Sequence, residues 1–463
     1  MIIHQPFIRK QWRLLENNGS YLKTIASGIW SRSTMSPQQQ SSDGDSGVNA
    51  SDTDVRQQQV QRWARQALSS LLGQDVGPIK AVALGGDASF RRYFRYHADA
   101  ALALPQLAGV TNSLMLVDAP PARENNPAFL QASAELRAAG LMTPTVLAHD
   151  LEQGFMLLED FGDQLYLPCL QQAQQVDAMA RVDVLYTQAM TALLALQADR
   201  STSQLPLFDQ AKLHSELSLF DEWFCGRMLG INLDANEKQL LADTWNFLEQ
   251  AALNQTQVRV HRDYHSRNLM VRQRVDASHT ENQAPGIIDF QDAVIGPVTY
   301  DLVSLLRDCY IVWPTEDVSR WLRQYYEQAQ ARQILTANLT FEAFHRDFDL
   351  MGIQRHIKVL GIFCRLALRD NKPRYLLDLP VVMDYVLTVG ERHAELQAFI
   401  RWFRRGPMID MYGVLTASGP LMSPSDLSQT YDSAASDFME SDFIESDFIE
   451  SDFIESAAGE NRS

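Results

Sequence analysis

Three side chains in His261-Arg262-Asp263-Tyr264-His265-Ser266-Arg267-Asn268 and the later run Gly286-Ile287-Ile288-Asp289 have the types and spacing of phosphoryl-transfer chemistry. That chemistry needs a carboxylate to orient or deprotonate an acceptor hydroxyl. It also needs an amide oxygen and a second carboxylate to hold the magnesium that neutralises the phosphates. Asp263 suits the first task, and Asn268 with Asp289 suits the second. Taken singly, Asp263 reads more readily as an Asp capping a turn, and Asn268 and Asp289 have the alternatives of a turn Asn and a strand-end Asp; the conjunction is what points to catalysis. His261 is assigned a supporting hydrogen bond rather than proton transfer, because Asp263 is better placed for the proton. Asp301, in Gly296-Pro297-Val298-Thr299-Tyr300-Asp301-Leu302, reads as the cap of the following helix or as a brace behind the catalytic loop.

These residues need elements that bring them together. Val258-Arg259-Val260 reads as a strand leading into the loop, Leu269-Met270-Val271 as a buried strand, and 276–285 as a polar connection. Asp263 and Asp289 then meet at one end of a hairpin. Upstream, helical spacing over 60–72 and 127–139 alternates with strand-like runs at 81–84, 90–96, 113–117 and 155–158, which suits a small antiparallel lobe over 60–164. Gly85-Gly86-Asp87-Ala88-Ser89 lies between two of those runs. It is either a phosphate-contacting loop or an ordinary hairpin turn. Glu159-Asp160-Phe161-Gly162 reads as a hinge whose backbone meets an adenine. From 165 to 405 long amphipathic segments dominate, at 174–198, 209–229, 236–252, 300–312, 316–330, 341–368 and 380–402. The fold class is therefore α+β, bilobal, with the nucleotide between lobes.

Both ends differ from this body. Residues 1–59 read as a poorly ordered extension, since 36–59 is Gln, Ser, Asp and Gly with almost nothing apolar to offset the entropy of ordering. Residues 406–463 form an acidic tail in which Ser436-Asp437-Phe438-Met439-Glu440 precedes three copies of Ser-Asp-Phe-Ile-Glu. A five-residue period matches neither helix nor strand. The tail is thus either disordered or a docking segment offering Phe438, Phe443, Phe448 and Phe453 to a protein partner with a basic-rimmed groove. Residues 436–455 hold eight acidic and no basic residues, so of the net charge of −17 the rest carries −9, which argues against nucleic-acid binding. No uncharged apolar run approaches a membrane span. The widely spaced Cys169, Cys225, Cys309 and Cys364 read as buried free thiols of a reducing, cytoplasmic compartment.

Three segments, His261 to Asn268, Ile288-Asp289-Phe290 and Tyr300-Asp301-Leu302-Val303, resemble the catalytic loop, metal-binding segment and supporting Asp of the aminoglycoside phosphotransferase family of kinase-like enzymes. Within that family, three further stretches look like the bacterial anomeric kinases of N-acetylmuramate and N-acetylglucosamine: 86–94, Val117-Asp118-Ala119-Pro120-Pro121 and 354–363. The resemblance spans about residues 58–400. It implies a protein-kinase-like fold with a small N-terminal sheet lobe and a larger helical C-terminal lobe. It also implies use of ATP and Mg2+ to form a sugar 1-phosphate in cell-wall recycling. On that basis Asp263 is catalytic, Asn268 and Asp289 hold metal, and His261 and Asp301 give structural support. Gly85, Gly86, Ser89, Arg92, Glu159 and Phe161 contact the nucleotide.

The third strand, Leu114-Met115-Leu116-Val117-Asp118, lacks the lysine that kinase-like folds place there. Arg91, Arg92 and Arg95 are the cations nearby, and Glu135 is the match for the helix glutamate that pairs with it. Arg355, His356, Lys358 and Arg365 punctuate otherwise apolar helical sequence. They read as a solvated helix face or, with Glu216, as the lining of an amino-sugar pocket. Competing readings are a kinase of an aminoglycoside or choline-type acceptor and a nucleotide-binding pseudokinase.

Overall fold

Val60, Ala64 and Leu68 recur at every fourth position, the spacing that gives a helix one apolar stripe. In the computed structural model they are fully buried on helix α1 (Ala50–Leu72). The structure describes residues 50–84, 90–104, 106–107, 110–272 and 284–416. α1 begins at Ala50, inside the segment whose composition predicted disorder. A long-range contact accompanies the difference: the Arg56 guanidinium reaches the fully buried carboxylate of Asp118, a charge that burial makes costly unless it is paired.

Strands β1 (Ala81–Ala83), β2 (Arg92–Ala103) and β3 (Val110–Asp118) are followed by helix α2 (Asn126–Ala138) and strands β4 (Val146–Asp150) and β5 (Phe155–Glu159). The strands form one antiparallel sheet in the order β1-β2-β3-β5-β4. Phe94, Tyr96, Leu114 and Leu116 share a core cluster with the α1 stripe. By the two-residue period of a strand, Tyr93, Arg95, Met115 and Val117 occupy the opposite face. There Tyr93 is in register with Val117, and Arg95 with Met115. Helices α3 (Tyr166–Gln175) and α4 (Met179–Ala198) replace the single segment expected over 174–198, with Asp177 at φ 55° between them.

Strands β6 (Gln257–Val260), β7 (Leu269–Met270), β8 (Gly286–Ile287) and β9 (Val294–Pro297) carry and flank the catalytic segment. Among the described residues, 50–206 and 259–295 make one compact unit, and 207–258 and 296–416 make a second. The catalytic segment therefore belongs with the sheet, and the division falls at 206 where the sequence suggested 164.

In the second unit, α5 (Gln210–Leu219) runs into a π-helical stretch, Phe220–Met228, and α6 (Ala235–Leu253) starts at a capping box between Asp234 and Glu237. α7 (Tyr300–Leu306) and α8 (Thr315–Ala331) precede α9 (Phe341–Leu368), which is buried on every side from Phe348 to Leu366. The expected segment over 380–402 is α10 (Leu379–Gly390) and α11 (Gln397–Arg405), broken around His393. α12 (Pro407–Thr416) puts Met411 and Leu415 into the same core, so this unit extends past 405, where the tail was expected to begin. Residues 417–463 lie outside the described part. All four cysteines are free; Cys225 and Cys364 are buried, while Cys169 and Cys309 are only partly so. No described helix is long and apolar enough to cross a membrane.

Candidate active site

β7 and β8 pair antiparallel with Leu269 opposite Ile287, so the residues at their ends are brought together. The Ile288 amide donates to the Asn268 carbonyl at 3.1 Å. The Asn268 side-chain amide, Nδ2, donates to Oδ2 of Asp289 at 3.2 Å and to the Asp263 carbonyl at 3.0 Å. One buried amide thus links the catalytic loop to the segment after β8. Asp289 accepts a further bond on Oδ1 from Gln291 at 2.7 Å. Sequence reasoning passed over Gln291, because a glutamine two residues past a strand-end carboxylate carries no distinctive spacing.

His261 closes the loop from the other side. Its Nδ1 accepts from the Asp263 amide at 3.3 Å, and its Nε2 lies 3.1 Å from the Ile288 carbonyl, which places the proton on Nε2. Full burial pushes the imidazole pKa down to about 4, so the ring is neutral at ordinary pH. The Tyr264 hydroxyl donates to the Ala189 carbonyl of α4 at 2.9 Å, and the Leu167 amide of α3 donates to the Ser266 carbonyl at 3.0 Å. Arg262 and Asp289 are held at φ 78° and 62°, the left-handed region that ordinary residues avoid. Such strain, on the order of 1–3 kcal/mol each, persists only where surrounding bonds over-determine the backbone.

Among the described residues there is no group of three or more His, Cys, Asp and Glu able to cage a metal. Asn268 and Asp289 each carry a side-chain oxygen that could hold a hard cation, while the contact between them runs through Nδ2 of Asn268.

The expected hinge, Glu159-Asp160-Phe161-Gly162, also lies in this unit. Oε2 of Glu159 accepts from the Thr145 hydroxyl at 2.6 Å, and the Arg272 guanidinium lies 5.0 Å from the centroid of the Phe161 ring. Phe161 presses on Gly286 so closely that a Cβ there would come within 2.6 Å of the ring. Arg95 clasps the hinge through Asp160 at 2.7 Å and Asp163 at 2.5 Å. Gly85, Gly86 and Ser89 lie outside the described residues.

Two expectations change. Arg92, expected at the nucleotide, pairs with Asp118, which also holds Arg56 of α1. It belongs to the sheet face that α1 covers. Glu135, expected to pair with a strand cation, accepts from Ser203 at 2.6 Å and from the Gln204 amide at 2.8 Å, and faces Arg259 at 3.5 Å. A further ion pair joins Arg91 and Glu124 at 3.1 Å, each side chain 2% exposed.

In the second unit, Asp301 is buried in the first turn of α7, but the cap position is Thr299, so Asp301 is not the cap. The solvated-face reading of 355–365 is overturned, since Arg355, His356, Lys358 and Arg365 are all buried. Lys358 lies 3.1 Å from Glu216 and 3.2 Å from the Tyr300 hydroxyl. His356 donates from Nε2 to the Arg307 carbonyl at 3.1 Å and stacks on Tyr385, and burial lowers its pKa to about 3.

A model of the phosphotransferase enzyme family matches residues 80–338, more than half of the sequence. The chain belongs to this phosphotransferase enzyme family. Two relatives of this phosphotransferase are the N-acetylmuramate/N-acetylglucosamine kinases of Pseudomonas putida and Pseudomonas aeruginosa. They are 41% and 39% identical over 75% and 74% of this chain, and 98% and 94% of theirs. The protein of that name from Neisseria meningitidis serogroup B is 36% identical over 67% of this chain and 85% of its own. Among solved structures, the ADP-bound aminoglycoside phosphotransferase APH(2'')-Ib is similar at 13% identity with a TM-score of 0.43, covering 69% of this chain and 97% of that one. The resemblance read from the catalytic segment is correct at the level of the family. The phosphotransferase has the α+β composition expected of it.

Proposed function

We propose that this phosphotransferase moves the γ-phosphate of ATP, with Mg2+, to the anomeric hydroxyl of N-acetylmuramate and N-acetylglucosamine. For the chemistry, the contact between Asn268 and Asp289 beside the loop of Asp263 carries the reading. For the acceptor, the support is the name shared by relatives that this chain covers almost end to end.

In this reading Asp263 accepts a hydrogen bond from the anomeric hydroxyl and takes its proton as the oxygen bonds to the γ-phosphorus. The bond to the β–γ bridging oxygen breaks, and ADP leaves with that electron pair. A hemiacetal hydroxyl is more acidic than a simple alcohol, so a modest base suffices and positioning supplies most of the rate. Asn268 and Asp289 would hold Mg2+, which would supply positive charge to offset that of the phosphates. His261 stays neutral and fixes the loop through its two bonds. Asp301 is assigned a supporting role.

The adenine is assigned to the hinge backbone at Glu159 and Phe161, with Val82 as an apolar lid. Val82 is 67% exposed, on the sheet face opposite α1 and in register with Arg95. Acceptor recognition is assigned to the buried polar row of α9 with Glu216. Gln354 stands out there, because its amide is fully buried and has no partner among the described residues. A buried amide of that kind is satisfied by an acetamido or hydroxyl group. The reading places the enzyme in the cytoplasm, where ATP is available.

The test is turnover. Purified protein with ATP, Mg2+ and either amino sugar should give a sugar 1-phosphate seen by phosphorus NMR, and an aminoglycoside should give none. Failure on both sugars overturns the assignment of acceptor, and failure on every acceptor favours a nucleotide-binding role without transfer.

A further inference from the structure

The sheet-bearing unit presents a chemical problem. Among residues 50–206 and 259–295 the sole lysine is Lys80, which is exposed and precedes β1 at the end remote from Gly85. Strand β3 carries Val117 and Met115 on the face opposite α1, where a lysine would meet phosphates. A nucleoside triphosphate nonetheless brings several negative charges that need a fixed cation besides the metal.

We propose that Arg91, positioned by Glu124, is the cation that faces the nucleotide phosphates in place of the strand lysine; this rests on ATP being the phosphate donor. Three observations carry it. The first is the face. Arg92 and Phe94 point toward α1, so the preceding residue, Arg91, points the other way, toward the side that carries Tyr93 and Val117.

The second is the pairing. A buried guanidinium and a buried carboxylate 3.1 Å apart reproduce the logic by which kinase-like folds hold their lysine with a glutamate. Glu124 is itself fixed, since its Oε1 accepts from the Phe90 amide at 2.9 Å. A guanidinium has enough N–H donors to keep its carboxylate and still reach a phosphate oxygen, and its planar fork suits phosphate well.

The third is the connection to the metal segment. The Arg91 guanidinium lies 5.1 Å from the centroid of Phe129 on α2, and Phe129 packs at 4.8 Å on Phe290, the residue next to Asp289. The other arginines of the sheet serve elsewhere: Arg92 meets Asp118, and Arg95 meets Asp160 and Asp163.

The experiment is calorimetric binding of adenosine, AMP, ADP and a non-hydrolysable ATP analogue, with Mg2+, to the full-length protein. Wild type is compared with R91K and with the double variant R91M/E124Q, which leaves no buried charge orphaned; thermal melts establish that each is folded. In R91M/E124Q, adenosine affinity should stay within about twofold while affinity for the ATP analogue falls about tenfold to a hundredfold, the range of one charge-assisted contact. R91K should recover most of that loss. A buried ion pair with only a packing role would weaken adenosine and the ATP analogue alike, or neither, and either pattern overturns the proposal. If wild type binds no nucleotide at all, the donor assignment itself fails; if it binds normally and only the variant pattern is wrong, the failure belongs to Arg91 alone.

Discussion

The Asn268 amide reaches Asp289 at 3.2 Å because the register of two very short strands, Leu269 opposite Ile287, leaves their flanking residues face to face. This makes the two side chains one functional group. Asp289→Asn should therefore lower kcat about a hundredfold to a thousandfold and raise the Mg2+ concentration needed for half-maximal rate. Initial rates across a Mg2+ titration check this, and an unaltered Mg2+ dependence would remove Asp289 from the metal site.

Asp263→Asn keeps the shape of the loop and removes the proton acceptor. The expected result is a fall in kcat of about two to four orders of magnitude with the KM for ATP within about threefold. Steady-state kinetics with both substrates varied decide it; a variant as fast as wild type would show that the hydroxyl proton leaves without Asp263.

Gly286→Ala drives a methyl group into the Phe161 ring, 2.6 Å from the ideal Cβ position. Because Phe161 is assigned to the adenine in the proposed function, the expected outcome is a KM for ATP raised about fivefold to tenfold with a smaller change in kcat, as for a loss of uniform binding. A larger effect on the sugar KM than on the ATP KM would place Phe161 elsewhere.

Gly361→Ala tests packing in the helical unit. Its Cβ would lie 2.4 Å from the Leu219 carbonyl carbon, and backbone cannot yield as a flexible side chain does. Overpacking of this kind costs about 1–3 kcal/mol or more. Urea unfolding should show a lower midpoint with an unchanged slope.

Acid should destabilise the protein through its buried histidines. His261 and His356 have folded pKa values lowered to about 4 and about 3, so between those values and the ordinary 6.5 the unfolded chain binds more protons. Stability from each is full above about pH 6.5 and is lost as pH falls toward the folded pKa, on the order of 2 kcal/mol by pH 5. Asp221 and Asp347, raised by burial to about 6, act in the opposite direction over part of that range. The clean comparison is between wild type and His356→Gln: the variant's melting temperature should fall less from pH 7 to pH 5. Parallel curves would mean that His356 does not contribute.

What was legible in the sequence was what is local in the fold. Asp263 and Asn268 lie in one loop, and Asp289 follows the second strand of the hairpin that the loop leads into, so motif spacing and strand pattern assembled the trio. The pairing of Arg91 with Glu124 depends on the direction in which the residue just before β2 points and on a distant loop; the sequence offered three arginines and pointed to Glu135. Composition failed at 50–59, where a polar segment is helical and its Arg56 meets a carboxylate on β3. Periodicity failed on α9, because a helix covered on all sides has no polar face and its charged residues are buried with partners.

Asp118 sits between Arg56 and Arg92 with its own side chain fully buried. A shortened protein beginning at Val60, where apolar periodicity sets in, would keep the whole stripe that covers the sheet yet strip one counter-charge from that carboxylate. Truncation for expression or crystallisation should therefore be made upstream of Ala50. The same ion pair is also a convenient place to loosen the sheet-bearing unit by design without touching the catalytic loop.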